Sequence, residues 1–180
     1  MTAIRLRALT LADLETLWAL RTADEANPRR TGAGAKERLR ARLAKDVSLE
    51  QDGWLELGIE LDGRLIGDVQ ARHPKNAMPP GVYEIGITLF GGERGKGYGR
   101  LALEQFTDLL FRDHEAARVQ GSTWVENGAM RRVFELLGWT EEGVMRGFWL
   151  GGDGEREDYA LYAITRSDWE SRNSESRFDS

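Results

Sequence analysis

The 180-residue sequence contains no cysteine. This absence excludes disulfides, thiolate metal sites and a cysteine nucleophile, and it is typical of proteins in the reducing cytoplasm, where we expect this chain to be located. The sequence also lacks an uncharged apolar run of roughly 18 residues, so we expect no membrane span. Charged residues such as Arg5, Arg7 and Asp13 interrupt the segment in which a signal peptide would need an apolar stretch.

Acidic residues are in slight excess, with 30 Asp and Glu against 25 Lys and Arg, for a net charge of −5. Residues 29–45 depart from this balance because cations predominate there. Within and just after this basic segment, Leu39, Leu43 and Val47 recur at the spacing of one helix face, which predicts an amphipathic helix with a solvated basic side. Because the chain as a whole is acidic, we expect no nucleic-acid partner.

Hydrophobic patterning predicts seven strands and several helices. Alternating or β-branched runs indicate strands at 4–9, 54–61, 64–71, 83–90, 119–125, 144–150 and 158–164. Apolar residues at helical spacing indicate helices after Thr10, in the basic segment, at 101–114 and at 127–137. The dipeptide Asp62-Gly63 favours a tight hairpin turn between the second and third strands.

The order of these elements is strand, two helices, three strands, helix, strand, helix and hairpin. This order predicts an α/β fold with a mixed, mostly antiparallel sheet and helices on both faces. The fourth and fifth strands are joined through a helix, so we expect them to be parallel neighbours with a right-handed crossover. We predict a single domain over residues 1–169 and a flexible, polar tail over residues 170–180.

A glycine-rich segment lies between the fourth predicted strand and the following helix. It consists of Arg94, Gly95, Lys96, Gly97, Tyr98, Gly99 and Arg100. The first N–H groups of a helix lack partners and carry partial positive charge, so they attract phosphate. The alternating glycines remove Cβ atoms that would keep a pyrophosphate from these donors, and three cations add positive charge. The sequence therefore predicts a pyrophosphate-binding loop.

Two common phosphate-binding motifs do not fit this segment. The P-loop requires four residues between its glycines and then Lys and Ser or Thr, but Gly91 precedes Gly95 by four positions and Gly97 follows Lys96. A dinucleotide-binding fingerprint beginning at Gly95 would need a third glycine where Arg100 stands. Nucleoside triphosphatase and dinucleotide-dependent functions are therefore not expected.

Four blocks of the sequence resemble the GNAT N-acetyltransferases. The pattern Arg94-x-x-Gly97-x-Gly99 is similar to the acyl-CoA pyrophosphate loop of that family, and residues 126–139, with Asn127 at their start, resemble its second block. Residues 4–21 and 154–169 resemble the ends of the branch that contains ribosomal-protein N-terminal acetyltransferases and spermidine acetyltransferases. The resemblance covers residues 4–169 and implies the GNAT fold, in which parallel strands four and five splay apart, with acetyl-CoA as cofactor.

The resemblance also implies roles for individual residues. Backbone groups of Ile87, Thr88 and Leu89 would bind the pantetheine arm like an added strand, and Asn127 would contact the same arm while also being suited to cap a helix. The implied reaction is direct attack of a primary amine on acetyl-CoA. Because an alkyl ammonium has a pKa of about 10, it must first lose a proton. Glu84 matches the general-base position of part of the family, although a structural ion pair would also explain it.

The sequence departs from the family pattern at Phe134, where many relatives carry a tyrosine that acts as general acid. A thiol pKa of about 8.5 makes the thiolate a tolerable leaving group without that acid. Water, Ser122 and Tyr159 all remain open as proton donors. The missing hydroxyl also leaves open a non-catalytic acyl-CoA-binding sensor with the same fold as the alternative to an enzyme.

The partner that these features imply is an amine substrate, and no metal is expected. A peptide or protein N-terminus, a polyamine and another small amine are all compatible with the sequence. A homodimer is compatible with the exposed strands expected near the C-terminus. A single sequence does not distinguish among these substrates or oligomeric states.

Overall fold

The computed structural model describes residues 3–24, 32–45, 48–75, 77–151 and 154–178. The chain folds into seven strands and six α-helices within these ranges. The strands are β1 (Ile4–Ala8), β2 (Trp54–Leu61), β3 (Arg64–Arg72), β4 (Val82–Leu89), β5 (Arg118–Trp124), β6 (Thr140–Leu150) and β7 (Arg156–Thr165). The helices are α1 (Leu14–Thr22), α2 (Ala35–Leu43), α3 (Leu49–Asp52), α4 (Tyr98–Asp113), α5 (Gly128–Leu136) and α6 (Arg166–Phe178).

The strands form one mixed sheet in the order β1-β2-β3-β4-β5-β7-β6. β4 and β5 are parallel, whereas β1–β2, β2–β3, β5–β7 and β6–β7 are antiparallel. The predicted fold class is confirmed, including the parallel fourth and fifth strands. The hairpin turn is also confirmed, because Asp62 and Gly63 adopt the positive φ angles of 49° and 77° that such a turn requires.

Two compact units make up the structure. The first contains Met1–Pro74 and Gly86–Phe106, and the second contains Lys75–Ile85 and Thr107–Ser180. In the first unit, Leu17 of α1 and Leu39 of α2 are fully buried in a cluster with Leu65 and Phe90. This cluster explains the apolar stripe of the basic segment. Val47, which we assigned to the same stripe, lies outside the described residues, as do Arg29 and Arg30.

The second unit has an aromatic core. The ring of Phe134 stacks on Tyr162, with centroids 4.9 Å apart, and packs against Trp139 at the same distance. The Tyr162 hydroxyl accepts a hydrogen bond from Arg131 and donates one to Glu141 at 2.8 Å. Burial raises the pKa of Tyr162, so this hydroxyl keeps its proton at neutral pH.

β6 is the edge strand of this second unit. It is exposed along most of its length and carries the exposed apolar side chains Val144, Phe148, Trp149 and Leu150. Its pairing with β7 shifts register twice, between Glu141 and Gly143 and again between Met145 and Trp149. Gly147, within the second irregularity, has a φ of 57°.

The C-terminal prediction is wrong as to local structure. Residues 170–178, which we expected to form a flexible tail, continue the helix α6. The Asp168 carboxylate accepts a hydrogen bond from the Thr165 N–H and so caps the first turn. Trp169 stacks on Phe111 and donates to Asp108, and Arg172 donates to the Leu137 carbonyl. These contacts outweigh the polar composition on which the prediction rested.

Two further differences concern helix positions. α4 begins at Tyr98, three residues before the predicted start and inside the glycine-rich segment. The one-turn helix α3 precedes β2 and was not predicted; the Ser48 side chain caps it and Gly53, with φ 69°, ends it. No helix among the described residues is long and apolar enough to cross a membrane.

Candidate active site

The glycine-rich segment forms an open loop at the start of α4. Gly95 and Gly97 have φ angles of 76° and 84°, which L side chains rarely adopt. A Cβ atom placed on either residue would meet no other heavy atom within 4 Å. In the part of the chain that the structure describes, no side chain fills the space directly beside these two glycines.

The loop also exposes the donor end of a long helix. The Leu101 N–H donates to the Gly97 carbonyl at 3.3 Å, which marks the first turn of the 16-residue helix α4. The N–H groups that precede such a turn have no partner within the helix, and the helix dipole gives them partial positive charge. Gly99 lies within this turn, so the N-terminal end of α4 is itself part of the predicted site.

The cations of the loop are partly neutralised by carboxylates. Both Asp24 oxygens accept hydrogen bonds from Arg94 at 2.7 Å. Glu93 accepts from Lys96 at 3.1 Å and from Arg64 at 2.9 Å, and these two cations hold the pKa of its carboxyl below the usual value. The sequence predicts the cations of the loop site, but it does not indicate that Asp24, Glu93 and Arg64 belong to the same charged cluster.

Arg100 completes the charge of the loop. Its side chain is exposed and makes no hydrogen bond or ion pair with any residue of the described ranges. Together with Arg64, Arg94 and Lys96 it places four cations around the loop against the two carboxylates of Asp24 and Glu93. A net positive charge therefore remains to attract an anion.

The last residues of β4 are positioned by β3. The Phe90 N–H donates to the Ile66 carbonyl at 2.9 Å. Gly67 lies so close to the Thr88 carbonyl oxygen that a Cβ atom there would collide with it. Leu89 extends its side chain to Gly99, where a Cβ atom would lie 3.5 Å from Leu89 Cδ1. The backbone of Ile87–Leu89 is thus fixed between its neighbouring strand and the first turn of α4.

The parallel ladder between β4 and β5 is short. Its pairs are Val82 with Arg118, Tyr83 with Val119 and Glu84 with Gln120. In the part of the chain that the structure describes, the ladder ends there, although β4 continues to Leu89 and β5 to Trp124. The half-buried Glu84 therefore stands at the last paired position.

Asn127 caps the helix α5. Its Oδ1 accepts from the Met130 N–H at 3.2 Å and its Nδ2 donates to Thr123 Oγ1 at 3.1 Å. The capping role that we considered for Asn127 is confirmed. The amide is exposed and keeps one N–H and one lone pair beyond these two bonds, so capping leaves it free to contact a ligand as well.

Phe134 is a core residue. Its side chain is 2% exposed, and Phe134 Cζ lies 3.0 Å from where a Cβ atom on Gly121 would be. The absence of a side chain at Gly121 makes room for the ring tip over β5. Position 134 therefore carries an apolar ring packed between Trp139 and Tyr162, with no hydroxyl to donate a proton.

These features fit coenzyme A. Its diphosphate needs backbone N–H donors, close approach and positive charge, which the open glycine loop, the first turn of α4 and the four cations provide. Its amide-bearing arm needs main-chain donors and acceptors, and β4 continues to Leu89 beyond its last described pair with β5. Among the residues that the structure describes, no atom lies within 4 Å of a Cβ atom placed on Gly95 or Gly97.

Comparison with solved structures finds the same fold in N-acetyltransferases. RimJ from Mycobacterium smegmatis, in complex with CoA-disulfide, has 22% identity and a TM-score of 0.78, with 92% of this chain and 83% of that chain covered. The ribosomal-protein-S5-alanine acetyltransferase from Vibrio fischeri has 20% identity and a TM-score of 0.81, covering 94% and 96%. A chimera of Vibrio cholerae spermidine N-acetyltransferase SpeG and hSSAT has 21% identity and a TM-score of 0.79, covering 93% and 98%.

The sequence comparisons give the family. No curated protein sequence matches this chain significantly. The family model of the GNAT acetyltransferase domain matches residues 3–140, well over half of the chain. This range contains β1–β5, the glycine loop and the helix that Asn127 caps. The chain therefore belongs to the GNAT family of acetyltransferases, enzymes whose acetyl donor is acetyl-CoA.

Proposed function

We propose that this protein transfers an acetyl group from acetyl-CoA to the primary amine of a peptide or protein N-terminus or of a small molecule. The observation that carries the proposal is the glycine loop at the first turn of α4, because its surplus cations and the space that the described residues leave beside it suit a diphosphate. Acetyl-CoA supplies an acetyl group activated as a thioester. The remaining chemistry belongs to residues of this chain, within a single acetyltransferase domain.

Three groups of residues would bind the cofactor. The segment from Arg94 to Arg100 takes the diphosphate through its backbone N–H groups and cations. The main chain of Ile87, Thr88 and Leu89 bonds the pantetheine amides, because this stretch lies beyond the last β4–β5 pair. A backbone N–H of β4 also stabilises the oxyanion that develops on the acetyl group. The N–H and the oxygen lone pair of the Asn127 amide that capping leaves unused would bind the same arm.

Glu84 would be the general base. The amine substrate is protonated at neutral pH and cannot attack until it loses a proton. A carboxylate at the end of the paired part of β4 can take that proton, directly or through one water. No side-chain acid is assigned to the departing thiolate, because Phe134 has none to offer and a thiolate can be protonated by water.

The substrate is expected to be a cationic amine. The structurally similar proteins are named for a ribosomal protein, for spermidine and for aminoglycosides. The surplus of acidic residues in the whole chain, with a net charge of −5, favours the approach of such cations weakly. Peptides with ribosomal-protein N-terminal sequences and spermidine are the first candidates, because both chain ends resemble the branch that contains acetyltransferases of these two kinds.

The test is an amine panel with a matched pair of variants. The purified protein is incubated with acetyl-CoA and peptides, polyamines or aminoglycosides, and free CoA thiol and acetylated product are measured. We expect turnover of at least one amine class. Glu84→Gln should lower kcat by about 10²- to 10⁴-fold, the usual contribution of a general base, while the Kd for CoA stays within twofold.

The control is Glu135→Gln, which removes one carboxylate from the exposed pair with Arg132 on α5. This variant should keep the kcat of the wild type. If no amine in the panel is acetylated, the proposed reaction is wrong, and CoA binding without turnover would favour a sensor. If Glu84→Gln keeps full kcat on an accepted amine, the assignment of the base is wrong.

A further inference from the structure

A buried carboxylate holds the first cation of the glycine loop. Asp24 follows the end of α1, and its side chain is only 4% exposed. It lies 70 positions before Arg94 in the sequence, yet both of its oxygens accept hydrogen bonds of 2.7 Å from that residue. The Arg94 side chain is 44% exposed. The pair therefore joins a fixed, buried acid to a cation that faces solvent.

Asp24 occupies only one corner of the guanidinium. Both hydrogen bonds come from the single nitrogen Nη2. Arginine has five N–H donors in a rigid planar fork, so the donors on Nε and Nη1 remain. Neither nitrogen is bonded to any residue in the ranges that the structure describes. Fixing one nitrogen of a planar group also fixes the direction of the others.

The other cation pair of the loop is of a different kind. Lys96 reaches Glu93 three residues earlier, and 51% of the lysine side chain is exposed. An exposed local pair of this type orients its members weakly. Of the two acids that pair with these cations in the described ranges, Asp24 is the more deeply buried, with 4% of its side chain exposed against 15% for Glu93. Among the loop cations with described partners, Arg94 is therefore the one whose direction is set by the fold.

We propose that Asp24 is a positioning residue for the cofactor: it holds Arg94 so that Nε and Nη1 are presented to the diphosphate of coenzyme A. The inference rests on the proposed role of the glycine loop in binding that diphosphate. A guanidinium already held in place loses less conformational freedom when the anion binds, and its planar fork can make two parallel bonds to a phosphate.

If Asp24 has only a screening effect, its removal should change the affinity for CoA in the opposite direction. A carboxylate 2.7 Å from Arg94 cancels part of its positive charge, and removing it would then strengthen the attraction between the loop and an anion. Positioning predicts weaker binding when Asp24 is removed, and screening predicts tighter binding. The direction of the change in affinity therefore distinguishes the two roles.

The experiment measures CoA binding by titration calorimetry, without an amine and without turnover. We expect Asp24→Ala to raise the Kd for CoA about 3- to 10-fold, the effect of ordering one rotamer-rich side chain. Asp24→Asn, which keeps one acceptor oxygen, should recover part of the loss. The double variant Asp24→Ala/Arg94→Ala should bind as weakly as Arg94→Ala alone, because Asp24 acts through Arg94.

The matched control is Glu15→Ala, which removes a 71% exposed carboxylate from α1, the helix that Asp24 follows. Its Kd for CoA should equal that of the wild type. The inference is overturned if Asp24→Ala binds CoA equally or more tightly, or if the losses of the two single variants multiply in the double variant. Should Asp24→Ala fail to fold, an unchanged or lower Kd for Asp24→Asn overturns it.

A loop variant separates this inference from the proposed function. If Gly97→Ala weakens CoA binding and Asp24→Ala does not, the loop assignment stands and the positioning role is wrong. If Gly97→Ala leaves CoA binding unchanged, the loop assignment is wrong and the role of Asp24 is overturned with it.

Discussion

The loop assignment can be tested with two glycines that have similar positive φ angles. Gly97 has φ 84° and Gly63, in the turn between β2 and β3, has φ 77°. A Cβ atom on either residue would meet no heavy atom within 4 Å. Gly97→Ala and Gly63→Ala therefore introduce the same methyl group at similar positive φ angles, with no collision with the described residues. They differ in that only position 97 lies in the proposed cofactor loop.

The two substitutions should lower the free energy of unfolding by similar amounts, but only Gly97→Ala should weaken the binding of CoA. Forcing an L residue into the left-handed region costs about 1–2 kcal/mol, which lowers Tm by about 2–8 °C in a chain of this size. At Gly97 the added methyl group also keeps a phosphate from the backbone donors of the loop. Losing one hydrogen bond to a charged group costs about 1.5–3 kcal/mol, so the Kd for CoA should rise about 10- to 150-fold.

The assay combines thermal unfolding without ligand and titration of CoA at one salt concentration. We expect both variants to have similar Tm values and Gly63→Ala to retain the affinity of the wild type. A Gly97→Ala protein that binds CoA normally would refute the assignment of the loop. Equal losses of affinity in both variants would show that strain, and not the occupied space, weakens binding.

Three other predictions concern the scaffold of the site. Gly67→Ala should push the Thr88 carbonyl away, because a Cβ atom at position 67 would collide with it. We expect the free energy of unfolding to fall by about 1–3 kcal/mol and the Kd for CoA to rise. A Kd unchanged from the wild type in calorimetry would contradict the role of β3 in placing β4. Leu39→Ala should leave a cavity in the core between α1 and α2 and lower the free energy of unfolding by about 2–5 kcal/mol. The loss should appear as a lower midpoint in urea unfolding. A loss below about 1 kcal/mol would contradict the packing of α2 on α1. Hydrogen bonds from the Thr165 side chain, and then from the Thr165 backbone, hold the pKa of Asp168 below its ordinary 3.8, so the Asp168 carboxylate stabilises the fold above that pH and this stabilisation is lost as the pH falls through the lowered value. The difference in free energy of unfolding between the wild type and Asp168→Ala should therefore shrink below pH 3.8. A difference that persists in acid would contradict the cap.

The fold was largely predictable because its signals are local. Asp62 and Gly63 define a turn by their own backbone preferences, and the alternation on either side fixes two strands. The start of α4 was placed late because Gly97 and Gly99 are poor helix formers, whereas in the structure Gly99 lies inside the first turn. Residue propensity alone does not indicate that a helix begins within such a segment.

The parts that were missed depend on contacts between distant residues. The polar composition of residues 170–180 indicates a tail, whereas contacts with distant residues, such as Trp169 with Phe111 and Arg172 with the Leu137 carbonyl, stabilise a helix through residue 178. In the same way, Arg94 could be identified as a loop cation from its position, but its partner Asp24 could not. No spacing rule relates residues that are 70 positions apart.

The irregular pairing of β6 has a consequence for how the protein behaves at high concentration. An edge strand with exposed apolar side chains is an open template onto which another chain can add a strand, and this is a common route to aggregation. Bulges interrupt that template because they turn the backbone and break the regular row of donors and acceptors. The two register shifts divide the edge into short pieces, and Gly147 permits one of the bends. The strand can thus keep Phe148 and Trp149 exposed to solvent while offering no long, flat surface for self-association by backbone pairing.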